Sequence, residues 1–115
     1  MEAKEMAEKI KAEGIKTVVF DFDETLISID SPSHPAFQDF LNTTDNTEKI
    51  HEFCPQYAYI TKLLSELSTQ GIKIHIVSYN SKVTLANGKH IIESTLDKFG
   101  WDGFGIQIQI GRAHV

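Results

Sequence analysis

The stretch Thr17-Val18-Val19-Phe20-Asp21-Phe22-Asp23-Glu24-Thr25 decides how the chain is read. Its first half, Thr17 to Phe20, is β-branched and aromatic with no polar alternation. That pattern predicts a strand buried on both faces, as in a parallel sheet. The strand runs straight into two carboxylates two residues apart, Asp21 and Asp23, with Thr25 two further on. The period of an extended chain is two, so Asp21 and Asp23 leave the strand on the same side. In parallel α/β sheets ligands bind beyond the carboxyl ends of the strands. Two carboxylates held together there repel each other unless a cation or a shared proton relieves them. A bound Mg²⁺ suits that role, because it prefers oxygen ligands.

Upstream, Ala3, Met6, Ala7 and Ile10 recur at helical spacing, which predicts an amphipathic helix over residues 2 to 13 that stops at Gly14. Downstream, residues 28 to 54 form a polar insert, with one short helix predicted from Ser33 to Asn42 and a loop from Asn42 to Thr47. A stronger helix starts at Pro55, with Tyr57, Ile60, Leu63, Leu64 and Leu67 as its apolar stripe and Gly71 at its end. A second strand spans Ile72 to Val77, followed by a loop over residues 81 to 88 and a helix from about His90 to Phe99. Gly105 to Ile110 alternates Ile with Gln and reads as a less buried third strand. Alternating segments of these lengths predict an α/β fold: a Rossmann-like parallel sheet with helices on both faces and a small cap or none.

The chain has 115 residues, room for one small domain, and its 41% hydrophobic and 23% charged residues are those of an ordinary globular protein. Its formal net charge of -5 repels phosphate backbones and argues against nucleic acid as a partner. A lone cysteine, Cys54, cannot form an internal disulfide, which fits a reducing, cytoplasmic compartment. No apolar run approaches the ~18 residues of a membrane span, so no membrane partner is expected.

The second strand repeats the theme of the first, an apolar run from Ile74 to Val77 that delivers a hydroxyl, Ser78. A nucleophilic carboxylate, a second carboxyl to move protons and hydroxyls to hold an anion together describe phosphoryl transfer through an aspartyl-phosphate. Val18-Val19-Phe20-Asp21-Phe22-Asp23-Glu24-Thr25-Leu26 resembles the first motif of the haloacid dehalogenase-like superfamily, an apolar run and then Asp-x-Asp-x-Thr. Ile74-His75-Ile76-Val77-Ser78 resembles its second motif, an apolar strand ending in Ser or Thr. The resemblance covers about residues 15 to 100.

The resemblance implies a Mg²⁺-dependent phosphatase acting on a phosphorylated small molecule or a phosphoprotein. It implies that Asp21 is the nucleophile and a metal ligand. Asp23 becomes the general acid/base, bound to the metal through its backbone carbonyl, and Thr25 and Ser78 hold the phosphoryl group. Glu24 also occurs in phosphatases of the C-terminal-domain type, which use Asp-x-Asp-Glu-Thr. The family's neutralising Lys and its later acidic pair find no counterpart: Lys82, Lys89 and Lys98 come too soon after Ser78, and Asp102 follows Trp101 rather than an apolar strand. The ending Ile110-Gly111-Arg112-Ala113-His114-Val115 holds the only arginine and resembles one reading frame of a widely used short-read sequencing adapter. The expectation is that residues 110–115 are a non-native read-through tail and that the natural chain continues. Two other readings stay open: a non-catalytic phosphate- or Mg²⁺-binding module, and a phosphoacceptor signalling domain.

The remaining chemistry-bearing residues have plainer readings. His34, His51 and His90 lack metal-ligand spacing and read as surface residues, and His75 as a packed or solvent-facing strand residue. Asn80 reads as the start of a loop. Cys54, with no base near it in sequence, reads as an inert thiol.

Overall fold

The N-terminal apolar spacing becomes helix α1 (Ala3–Ala12), with Ala3 and Ala7 buried and Glu5 accepting from the Glu2 amide at 3.2 Å. Strand β1 (Thr17–Asp21) follows and leads into a wide turn at Phe22–Leu26. The insert carries α2 (Pro35–Asn42) and the four-residue α3 (Ile50–Phe53). Then come α4 (Tyr57–Thr69), β2 (Lys73–Ser78), α5 (Ile91–Phe99) and β3 (Gln107–Ile110), with 3₁₀ turns at Thr47–Lys49 and Asp102–Phe104. The structure is a computed structural model that describes residues 1–29, 31, 34–43, 46–78, 85 and 88–110. Asn80, Lys82, most of the loop at 81 to 88, part of the 42–47 loop and the tail 111–115 lie outside the described residues. No helix among the described residues is long and apolar enough to cross a membrane.

The three strands are parallel and lie in the order β1-β2-β3. Thr17 stands opposite Lys73, Asp21 opposite Val77 and His75 opposite Gln107. This is the mixed α/β architecture that the alternating segments predict, compatible with part of a Rossmann-like sheet.

The expectation that β1 is buried on both faces does not hold. Thr17, Val19 and Asp21 are exposed, Val19 to 57%, while Val18 and Phe20 pack against the core. In β2, Ile74, Ile76 and Ser78 are buried, whereas Lys73 is exposed and His75 and Val77 half-buried. Gln107 and Gln109 are exposed as well. The register sets these residues side by side, so the covered face carries Val18, Phe20, Ile74, Ile76 and Ile108, and the other face is largely open. The reason is topological. Right-handed crossovers that step twice in one direction, β1 to β2 to β3, place both connecting segments on the same side of the sheet. The alternating segments predict helices on both faces, but among the described residues only one face is buried.

Residues 28 to 54 are polar by composition, yet Phe37, Phe40, Leu41, Ile50, Phe53 and Cys54 all enter the common core. The Phe53 ring lies 5.0 Å from Phe37 and 5.2 Å from Phe40, centroid to centroid, and meets the His34 ring edge-on at 5.8 Å. From α5, the Lys98 ammonium sits over Phe40 at 4.8 Å and donates to the Thr43 carbonyl. A second aromatic group joins α4 to the end of α5. Trp101 stacks on Tyr57, meets Phe99 edge-on, and donates from Nε1 to Thr61 Oγ1 at 2.8 Å.

Removing a buried phenyl leaves a cavity that the surrounding rings cannot fill. Phe53→Ala is expected to lower the unfolding free energy by about 3 to 5 kcal/mol. Urea titration followed by the fluorescence of the single tryptophan, Trp101, checks this; a loss under about 1 kcal/mol would mean that α3 is not anchored in the core.

Candidate active site

Asp21 is the last residue of β1, and its carboxylate is exposed, with no hydrogen bond or ion pair among the described residues. The next residue, Phe22, is wholly buried and pins the chain as it leaves the sheet. Asp23 stays extended, with φ -69° and ψ 134°, and Glu24 then turns into the left-handed region at φ 58°. Glu24 is the only described non-glycine residue with a positive φ. Two backbone bonds close the turn, from Ile27 N to Phe22 O at 3.3 Å and from Glu24 N to Ile29 O at 3.1 Å. Left-handed backbone is disfavoured for a side chain bearing a Cβ, at a cost of about 1 to 3 kcal/mol where the surroundings impose it. Here the reversal lets Asp23 point back over the sheet end while Glu24 faces solvent.

The half-buried Asp23 carboxylate is held from two sides. Its Oδ1 accepts from the Ser31 amide at 2.8 Å and from the Ser31 hydroxyl at 2.5 Å. Its Oδ2 faces Ser78 Oγ at 3.4 Å, a long contact across a sequence separation of 55. Pairing of Asp21 with Val77 makes this possible, because it brings the carboxyl ends of β1 and β2 level. The structure thus brings together Asp23 and Ser78, but not Asp21. Asp21 ends the exposed row of Thr17 and Val19, so the two carboxylates do not leave the strand on the same side, contrary to what the period of two predicts. No hydrogen bond joins Asp21 to Asp23 or Ser78 among the described residues. Thr25 is not part of that group. Its exposed side chain lines a cleft of about 280 Å³ with Glu24, Ser28, Pro55, Gln56 and Ile60, and no hydrogen bond joins it to Asp21, Asp23 or Ser78 among the described residues.

Two residues escape sequence reasoning. Ser31 lies inside the polar insert and carries no motif, yet it is 1% exposed and donates to Asp23 Oδ1 from both its amide and its hydroxyl. His90, read as a surface residue, is half-buried and caps α5, its Nδ1 accepting from the Ile92 amide at 3.1 Å. That fixes the proton on Nε2, which is buried with no hydrogen-bond partner among the described residues. His34 caps α2 in the same way, its Nδ1 accepting from the Phe37 amide at 3.3 Å. The available signal was Glu93, three residues after His90, in the position where a capping box places its acid. Burial lowers the His90 pKa below 6.5, against the opposing pull of Glu93 and Asp23.

Lys89 pairs with Asp97, and Lys98 with the Thr43 carbonyl and Phe40. Asp102 is exposed in the 3₁₀ turn before β3. Among the described residues no three His, Cys, Asp or Glu side chains form a metal-binding group. The donor chemistry still suits Mg²⁺. That ion is commonly held by one or two carboxylates together with substrate phosphate and water, and the exposed Asp21 carboxylate supplies an oxygen donor of that kind. Cys54 is buried, its Sγ donates to the Leu26 carbonyl at 3.2 Å, and burial raises its pKa to about 11.

Comparison with protein-family models, curated proteins and solved structures finds no match for the chain.

Two titrations check these environments. The thiolate is the reactive form of cysteine, so iodoacetamide at pH 8 should leave Cys54 unmodified in the folded protein and alkylate it in urea; equal rates would place the thiol at the surface. The His90 shift is downward, so its contribution to stability is complete above about pH 6.5 and is lost as the pH falls. His90→Asn keeps a capping acceptor without a titrating ring. It should flatten the loss of stability between pH 7 and 5, and an unchanged pH profile would contradict this assignment.

Proposed function

We propose that the chain is the core of a Mg²⁺-dependent phosphomonoester hydrolase of the haloacid dehalogenase-like type. The observation that carries this reading is the meeting of Asp23 and Ser78 at level strand ends, two residues after Asp21, whose exposed carboxylate has no hydrogen bond or ion pair among the described residues. An Oδ atom of Asp21 attacks phosphorus and forms the new P–O bond. The ester P–O bond breaks, and the leaving oxygen takes a proton from Asp23. A water then attacks the aspartyl-phosphate while Asp23 takes its proton, which releases inorganic phosphate and restores Asp21. Ser78 Oγ, at the buried end of β2, supplies a donor for a phosphoryl oxygen. Mg²⁺, when bound, neutralises phosphoryl charge and orients the group for attack. Asp21 and the Asp23 carbonyl are the donors assigned to it.

The insert is short, and the parts of it that are described pack into the core. An uncapped sheet end would admit a bulky substrate, a phosphoprotein as well as a phosphorylated small molecule. A cytoplasmic location belongs to the same reading, and the lone buried Cys54 supports it. The alternative is a module that binds phosphate or Mg²⁺ without turnover. It draws support from the absence, among the described residues, of a lysine beside Asp21 and of a third acid.

With p-nitrophenyl phosphate and Mg²⁺, Asp21→Asn is expected to lose at least about 10³-fold in kcat, because it removes the nucleophile. Excess EDTA should abolish wild-type turnover and added Mg²⁺ should restore it. Retained activity in Asp21→Asn would overturn the nucleophile assignment. Mg²⁺ or phosphate binding with no hydrolysis of any phosphomonoester would favour the binding module.

A further inference from the structure

Asp23 does not hold its own position. Its two oxygens meet different surroundings, and the difference comes from the insert. Oδ1 accepts two bonds from one residue, the amide and the hydroxyl of Ser31. Ser31 is itself held, since Gln38 of α2 donates from Nε2 to the Ser31 carbonyl at 3.1 Å. Helix α2 is in turn fixed by Phe37 and Phe40 in the aromatic cluster around Phe53. A continuous line of contacts thus runs from the core of the insert, through Gln38 and Ser31, to the carboxylate at the end of β1. On its far side, Oδ2 looks toward Ser78 Oγ.

We propose that Ser31 is the positioning residue of the acid/base: its amide and hydroxyl fix the Asp23 carboxylate through Oδ1 and so set how that carboxyl group meets the substrate. A carboxylate free to rotate about its Cβ–Cγ bond would present either oxygen, and small losses of orientation cost large factors in rate. The insert then has a chemical purpose that its polar composition conceals: it carries the clasp for the proton-transfer group.

This inference rests on the phosphatase reading, and its test separates the two. A positioned acid matters most when the leaving group is a poor one, because an alkoxide needs its proton as the P–O bond breaks and a nitrophenolate does not. Ser31→Ala should therefore lower kcat/KM on glycerol 3-phosphate by about 10² or more, within the range of general acid catalysis. On p-nitrophenyl phosphate the same variant should lose less than about fivefold in kcat/KM, which reports the steps up to loss of the leaving group and not the hydrolysis of the common aspartyl-phosphate. Ser31→Thr keeps the hydroxyl and the amide and should restore most of the glycerol 3-phosphate rate, while urea unfolding confirms that both variants fold. An equal loss on the two esters, or no loss on either, would overturn the role of Ser31 and leave the phosphatase reading standing. Failure of the wild-type chain to hydrolyse either ester would overturn both.

Discussion

The register between β1 and β2 is the constraint on which the rest depends. It sets Asp21 opposite Val77 and brings the ends of two distant segments to one level. A shift by one residue would turn Val18 and Phe20 away from the core and carry Asp23 off Ser78. The apolar faces of the two strands therefore do double duty. Val18, Phe20, Ile74 and Ile76 hold the register through burial, and the polar residues that follow are delivered as a consequence. Phe22 continues the same logic beyond the strand: its buried ring anchors the turn from which Asp23 reaches back.

Packing is one-sided, and this shapes what the sheet end can do. Core residues from α4, α5 and the insert gather on the face of Ile74 and Ile76, and Asp23 and Ser78 sit at the rim of that covered side. Asp21 ends the row of Thr17 and Val19 on the open side. The two carboxylates therefore differ in exposure although they are two residues apart: one is solvated, with no partner among the described residues, and the other half-buried and clasped. Different surroundings for a pair of acids are what a division between nucleophile and proton carrier requires. The left-handed backbone at Glu24 makes the division possible, because the chain must reverse between Asp23 and the buried Leu26.

Much of the fold was legible in the sequence. Alternating apolar runs of strand and helix length gave the element order and the parallel sheet, and Ser78 was recognisable as the residue delivered by the second apolar run. One-sided burial was not legible. The run Thr17-Val18-Val19-Phe20 shows no polar alternation, so its periodicity carries no information about which face is covered. That depends on the order of strands, a property of the whole chain. Ser31 was hidden for a different reason: a serine in a polar stretch reads as loop, and its importance arises only when the insert folds back on Asp23. Thr25 shows the converse case. Its spacing from Asp21 suggested a shared site, but the reversal at Glu24 breaks the period of two and points it into a neighbouring cleft. His90 and Phe53 became visible only through their partners, a helix terminus and two phenyl rings.

The central claim is that Asp21 forms a covalent bond to phosphorus, and chemical trapping tests it most directly. The protein is incubated with p-nitrophenyl phosphate and Mg²⁺, quenched in acid and reduced with borohydride, which converts an aspartyl-phosphate to homoserine. Peptide mass spectrometry then reads which position has changed. The account predicts homoserine at position 21 and unmodified aspartate at position 23. Homoserine at position 23, or turnover with no trapped residue at position 21, would contradict it.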